Sequence, residues 1–288
     1  MAVSTKTAND IQLDLAYRLG ESSIPSSTSE ANRRLSWIKE AVNIVVGGER
    51  LYWFMQLRTT DAVIADKEDY AYPPNYRKMI SLRVDGYEYE SVEKDEVYEK
   101  FEQPNSPVPI LPAYLARSWY DLDEKFWLVP IPSAAPTAIA ITSITQSGGT
   151  ATVTSTAAHG YKINDYVTIA GADQAGYNIK AIILTVPSTT TYTYAVNSAT
   201  VSPATGTLTA TKDNIELWYY QYPDTSSFTS ASSIYIPDMY TNVITSYAEG
   251  RYWSSAHKRA KSADGFAEHE TMIQKINAEQ WRRSFPTY

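Results

Sequence analysis

The sequence contains no cysteine. That excludes a disulfide framework, thiolate zinc sites and a cysteine nucleophile, and it leaves the redox compartment open. Histidine is scarce: His159, His257 and His269 are the whole supply. No stretch of about 18 apolar residues occurs, so no transmembrane helix is expected. The opening "MAVSTKTANDIQLDLAYRLG" has no apolar h-region, so no secretory signal is expected. "GG" occurs twice but never within GxGxxG or GxxxxGK followed by Ser or Thr, which removes the glycine-rich phosphate loop. Positive charge is in deficit. A net charge of −7 and a pI near 5.1 argue against bulk nucleic-acid binding through phosphates.

What is present describes a folded chain. Hydrophobic residues make up 43% and charged residues 20%, a globular composition. The 288 residues suffice for one large domain or two to three small ones. Tyrosine is abundant, with 23 copies beside 7 tryptophans. These side chains favour strands, and they also anchor interfaces.

Ile11, Leu15 and Leu19 recur at helical spacing behind Asn9 as a cap, giving a helix over 8–20 that Gly20 ends. A Ser/Pro linker follows. Leu35, Ile38, Val42 and Val45 share one face of a second helix, read as continuous over about 30–56 with a kink at Gly47 and Gly48. From Thr59 the period shifts toward two. "TTDAVIADKEDYAYP" reads as two short strands around a polar turn, and "PPNYRKM" as a turn. "MISLRVDGYEYESV" reads as a hairpin through a type I′ turn at Asp85–Gly86. Residues 91–101 suggest a short helix, and "PAYLARSWYDLDEKFWLVPIP" a second hairpin turning near 121–124. The end is helical again, over about 238–256 and 262–284.

Composition breaks sharply in between. Residues 137–211 hold no Glu and no Arg, and their charges, Lys162, Lys180, Asp165 and Asp173, cancel. Short alternating runs ("ATVTST", "DYVTIAG", "AIILTV", "TYTYAV", "GTLTAT") recur about every ten residues, which predicts a small β-sandwich or barrel. The expected fold class is therefore α+β. The N- and C-terminal helices form a helical bundle with a small antiparallel β region, strands lying between 59 and 130 and at 214–222. An all-β domain over 137–211 is inserted into a core of 1–136 and 212–288, in a loop between two strands.

Candidate chemistry is thin. His159 lies in "TAAHGYKINDYVTIAGA" between a strand and Gly160, with no nucleophile, base and orienting group around it, and it reads as a turn histidine. His257 and His269 do not have HExxH spacing, and the side chains of "EHE" at 268–270 point from different helix faces. No catalytic, cofactor-binding or metal-binding residue is assigned, and no cofactor is expected. Residues 85–102 carry eight acids against two lysines, on what reads as a solvated face. Residues 250–288 carry a net +3, and "EQWRRSFPTY" interleaves Trp281, Phe285 and Tyr288 with Arg282 and Arg283. Such side chains either cap the last helix onto its own bundle or dock on a partner.

Four phrases carry a resemblance. They are Y-x-x-P-x-x-Y-R at 70–77, P-x-P at 130–132 after an aromatic strand, I-P-D-x-Y-x-x-V-I-x-x-Y-A at 236–248, and H-G-Y-x-x-x-D-x-V-x-I-x-G at 159–171. The first three, over about 5–134 and 212–285, resemble the head-to-tail adaptor (connector) proteins of tailed bacteriophages. The fourth is similar to a small β-module that recurs in phage structural proteins. The resemblance implies a structural virion protein at the head–tail neck, made in the host cytoplasm and not an enzyme. It would be one subunit of a homo-oligomeric ring, usually of twelve copies. The ring would bind the portal protein on one side and a downstream neck or tail protein on the other, with double-stranded DNA passing through its lumen without specific binding and no membrane involved. Trp281, Arg282, Arg283, Phe285 and Tyr288 are then the candidates for portal docking, and Glu93, Asp95, Glu96 and Glu99 for lumen charge that repels DNA. The alternatives are a tail-tube or tail-completion protein, or a carbohydrate-binding virion module. The last would rest on Tyr161, Tyr166, Tyr177, Tyr192 and Tyr194 of the inserted domain.

Overall fold

The computed structural model describes residues 6–48, 50–95, 97 and 117–284. Chain contacts divide it into two compact units, 1–57 with 74–78 and 219–288, and 58–73 with 79–218. The first holds four α-helices among the described residues: α1 (Ala8–Arg18), α2 (Thr28–Gly47), α3 (Asn242–Ser255) and α4 (Arg259–Ser284). The Thr7 side chain accepts from the Asp10 N–H while Asp10 accepts from the Thr7 N–H, a reciprocal cap that starts α1. Ile11, Leu15, Ile38, Val42, Val45, Val243, Ile244 and Ala248 meet in one core.

Helix α2 does not run to residue 56. It ends at Gly47, with Gly48 extended at ψ 175°. Arg77 donates from Nη1 to the Val46 carbonyl at 3.0 Å and from Nη2 to that of Gly48, taking carbonyls the helix leaves open. The apolar run "LYWFM" that suggested a longer helix becomes a 3₁₀ turn (Trp53–Met55), with Tyr52, Trp53 and Met55 buried.

Seven strands form one sheet: β1 (Gln56–Asp61), β2 (Asp69–Ala71), β3 (Tyr76–Val84), β4 (Tyr87–Ser91), β5 (Ser118–Leu122), β6 (Lys125–Val129) and β13 (Ile215–Gln221). Their order is β1-β13-β3-β4-β5-β6-β2. Strands β1 and β2, which read locally as neighbours around one turn, lie on opposite edges. The β3–β4 turn has both central residues at positive φ (Asp85 53°, Gly86 81°), as a type I′ turn needs. The β5–β6 turn does the same with Asp123 (53°) and Glu124 (58°), without glycine.

Six further strands close into a barrel of order β10-β11-β8-β7-β12-β9. They are β7 (Ile139–Ser147), β8 (Thr150–Ser155), β9 (Tyr166–Ala172), β10 (Lys180–Ser188), β11 (Thr191–Ala195) and β12 (Gly206–Lys212). Alternate residues fill the inside: Ala151 and Val153, Val167 and Ile169, Tyr192 and Tyr194, Leu208 and Ala210. The close approach of β9 to β12 rests on Gly171, at φ 82°. A Cβ there would stand 1.9 Å from the Thr207 carbonyl oxygen.

The expectation of a helical bundle with only a small antiparallel β region is therefore corrected. Strand takes 33% of the described residues against 32% helix. The sheet is not purely antiparallel either, since β4 and β5 pair in parallel, Glu90 opposite Ser118. The physical reason is long-range pairing. β13 lies between β1 and β3, which come more than 130 residues earlier. Local alternation shows hairpins but not such a partner. Among the described residues no helix is long and apolar enough to cross a membrane.

Candidate functional site

The stretch around His159 resolves residue by residue. His159 is buried, and its Nδ1 accepts the Tyr161 N–H at 3.0 Å. Nε2 lies 3.2 Å from the Ser188 carbonyl oxygen, which fixes Nε2 as the protonated nitrogen. Its ring stands edge-on to Tyr192 at 5.1 Å and tilted against Tyr161 at 4.9 Å. Tyr161 donates to the Ala210 carbonyl. Asp165 accepts from the Lys162 N–H and from Lys212 Nζ, both through Oδ2. Val167 and Ile169 are core, and Gly171 admits β12. Every fixed letter of H-G-Y-x-x-x-D-x-V-x-I-x-G except Gly160, which holds φ 65°, has a packing or hydrogen-bonding partner inside the barrel. Both imidazole nitrogens are committed, so the ring offers no nitrogen to a substrate.

The barrel tyrosines do not form an exposed platform. Tyr161, Tyr177, Tyr192 and Tyr194 are buried in the barrel core, and Tyr166 lies under the Arg58 guanidinium at 4.9 Å. Burial pushes Tyr161 up to about 12 and raises Tyr192 and Tyr194 further. The hydroxyls of Tyr177, Tyr192 and Tyr194 find no hydrogen-bond partner among the described residues.

A heavily bonded ionisable group lies at the barrel's foot. The Asp213 side chain is fully buried. It accepts from Thr60 Oγ1 at 2.8 Å and from Thr168 Oγ1 at 2.9 Å, and Lys180 Nζ stands 3.0 Å away. Lys180 also donates to the Thr60 carbonyl. Beside this node Arg58 lies between Tyr166 and Trp218, its Nε 2.8 Å from Glu216. Thr60 and Arg58 belong to β1, Thr168 to β9 and Lys180 to β10, so the node bolts the barrel to the sheet. A buried carboxylate with three partners holds one geometry, because any shift leaves charge unpaired. Sequence reading passed over Asp213. Its signal was scarcity, for Lys180 and Lys212–Asp213 are among the few charges in a charge-poor region.

The other sequence candidates stay apart from this node. Glu93 and Asp95 are exposed, whereas Glu96 and Glu99 lie outside the described residues. Near the end of α4, Asn277 accepts from the Tyr52 hydroxyl and Gln280 from the Trp53 N–H. Arg283 lies 4.6 Å over the Trp53 ring. Trp281, 63% exposed, and Arg282, also exposed, are not among the residues that make these contacts. The last helix is thus capped onto its own unit by one set of side chains, while Trp281 and Arg282 stay largely exposed. Phe285 and Tyr288 lie outside the described residues. His269 is buried, its Nδ1–H donating to the Val243 carbonyl at 2.8 Å, and Glu268 holds Arg18. Among the described residues no group of three metal-ligating side chains comes together. An open groove of about 730 Å³ runs along the α1–α2 loop. Its one buried charge, Arg34, is spent on Glu21 (2.7 and 2.8 Å) and Glu30. That bond holds the Glu21 carboxyl below its ordinary value.

The phrases that prompted the resemblance are interior in part: Tyr76 and Arg77 are half-buried, whereas Pro130 and Asp238 are exposed. Arg77 of Y-x-x-P-x-x-Y-R closes α2 and lies over Tyr222, and Tyr76 packs on Tyr219. Pro130 of P-x-P follows Val129 through a cis peptide bond. Ile236, Val243, Ile244 and Ala248 are fully buried in the helical core, with Tyr240 and Tyr247 packed against it. No family model and no curated protein sequence matches the chain. The reading of its function accordingly rests on these residues and on the surfaces described above.

Proposed function

We propose that the chain is a structural virion protein: one subunit of a ring, of twelve copies by the resemblance, that joins the portal of a tailed-bacteriophage capsid to its tail and extends the DNA channel. One observation carries this reading. The residues shared with the adaptor family are those that build the fold here, Arg77 at the end of α2 and Ile236, Val243, Ile244 and Ala248 in the helical core. A resemblance at surface positions would be cheap, because surface residues are loosely constrained. Core and capping positions are fixed by packing. Trp281 and Arg282 then serve as portal anchors beside the segment that ends the chain, and the barrel, bolted at Asp213, is held out to a neck or tail protein. The carbohydrate-binding alternative loses its aromatic platform to the barrel interior.

The test is stoichiometric. The purified protein is mixed with the portal protein encoded in the same genome, and the mass of the complex is measured. A ring of defined copy number on the portal is expected, even where the protein alone is monomeric. Failure to join the portal removes the reading, and six-fold stacking without it points to a tail tube instead.

A further inference from the structure

The turn between α3 and α4 carries charge that its own fold does not use. Residues 251–261, "RYWSSAHKRAK", hold four cations and no acid, in a chain of net charge −7. Arg251 pairs with Glu40. Lys258, Arg259 and Lys261 are exposed, and among the described residues no carboxylate pairs with them. Lys258 and Lys261 instead bracket the Trp253 ring, at 5.1 and 4.3 Å from its centroid. Trp253 is itself held by Tyr252 edge-on and by Glu249 through its indole N–H. The first turn of α4 contains no acid. Cations at the positive end of a helix oppose its dipole, so these three lower the stability of the helix they begin. A rigid tryptophan among cations, maintained against the helix's own preference, is the composition of an interface anchor.

A complementary surface exists on the same chain. Glu88 and Glu90 point from one face of β4, both exposed. The nearest cation to Glu88 is Arg83 at 3.9 Å, and none pairs with Glu90 among the described residues. In a ring each copy uses two different patches, one toward each neighbour. We propose that the basic turn at Trp253, Lys258, Arg259 and Lys261 of one copy seats the Glu88–Glu90 face of the next. This inference rests on the ring reading, and it names the contact that orders the ring.

Two variants test it: Lys258→Glu/Arg259→Glu/Lys261→Glu, and Glu88→Lys/Glu90→Lys. Each has one patch reversed, so each repels itself, but mixed in equal amounts they are complementary at every contact. Melting curves of both check that the fold is retained. Sedimentation at low salt, with the portal protein of the same genome present, is expected to show ring formation by each variant alone weakened about tenfold or more against wild type, and recovered in the mixture. It should also weaken at about 0.5 M salt, where exposed charges are screened. Two folded variants that do not recover on mixing overturn the contact. So does a basic-turn variant that associates normally but loses the portal, or loses binding to duplex DNA, since the turn then serves that partner. A wild-type protein that fails to join the portal ends the ring reading and this contact with it, whereas a wild type that joins while both variants also join normally ends the contact alone.

Discussion

Two side-chain types in the barrel make sharp tests of what holds it. His159 spends both nitrogens on backbone groups and packs its ring on two tyrosines. Replacing it with Ala removes the packing and leaves the Tyr161 N–H and the Ser188 carbonyl unpaired. A loss of about 2–4 kcal/mol is expected in urea unfolding. An unchanged midpoint would show that the ring is not structural. The tyrosines act in the other direction. Below pH 10 the folded and unfolded tyrosines hold the same protons. Above it the unfolded ones release theirs, while Tyr161 keeps its proton to about 12 and Tyr192 and Tyr194 longer. Stability is therefore expected to be full below pH 10 and to fall as pH rises beyond it. Tyr192→Phe/Tyr194→Phe should flatten that fall at little cost near neutrality, because neither hydroxyl has a partner to lose. A double variant as alkali-sensitive as wild type would contradict this.

The helices of the first unit give predictions that oppose simple propensity. Gly265 of α4 passes so close to α3 that a Cβ would stand 2.7 Å from the Gly250 nitrogen. In an exposed helix Gly→Ala gains about 1 kcal/mol. Here Gly265→Ala is expected to lower stability by about 2 kcal/mol or more, because backbone cannot yield as a side-chain end can. A higher melting temperature would refute the close crossing. At the α1–α2 loop, Glu21 is held below its ordinary 4.5 by Arg34, so its contribution is complete above pH 4.5 and is lost as pH falls through its lower folded value. Glu21→Gln should be less stable at neutrality and show a shallower acid decline, read from denaturant midpoints between pH 3 and 7. Much at this scale was legible in the sequence. The Asp85–Gly86 turn, the recurring strands of the barrel and the first helix follow from residues within a few positions of one another. The end of α2 was not legible, because Arg77 secures it from 30 residues away. Nor was the sheet order, since β1 gains nothing locally that names β13 as its partner.

For the molecule as a whole, charge sets the expected behaviour. A channel that must release DNA gains from walls of like sign, since each neutralised phosphate strengthens retention. Glu93, exposed, is the described candidate for such a wall, with Asp95 beside it. If the ring reading holds, phage carrying Glu93→Lys should assemble normally and eject DNA more slowly, the more so at low salt. Ejection at the wild-type rate would clear Glu93 of that role. The candidate acids were visible in the sequence as a run, but which of them share a face was not, because that depends on β4 and on how copies meet.

The barrel's exit has a mechanical side. Only Asp213 and Asn214 separate the end of β12 from the start of β13. β13 is no edge strand, for it lies between β1 and β3. A pull on the barrel is therefore delivered along β13 as shear across two rows of backbone hydrogen bonds at once, rather than peeling one strand from a border. Asp213, gripping β1 at that same point, shares the load before the strand feels it. At this junction, then, the barrel hangs on a strand that two neighbours hold.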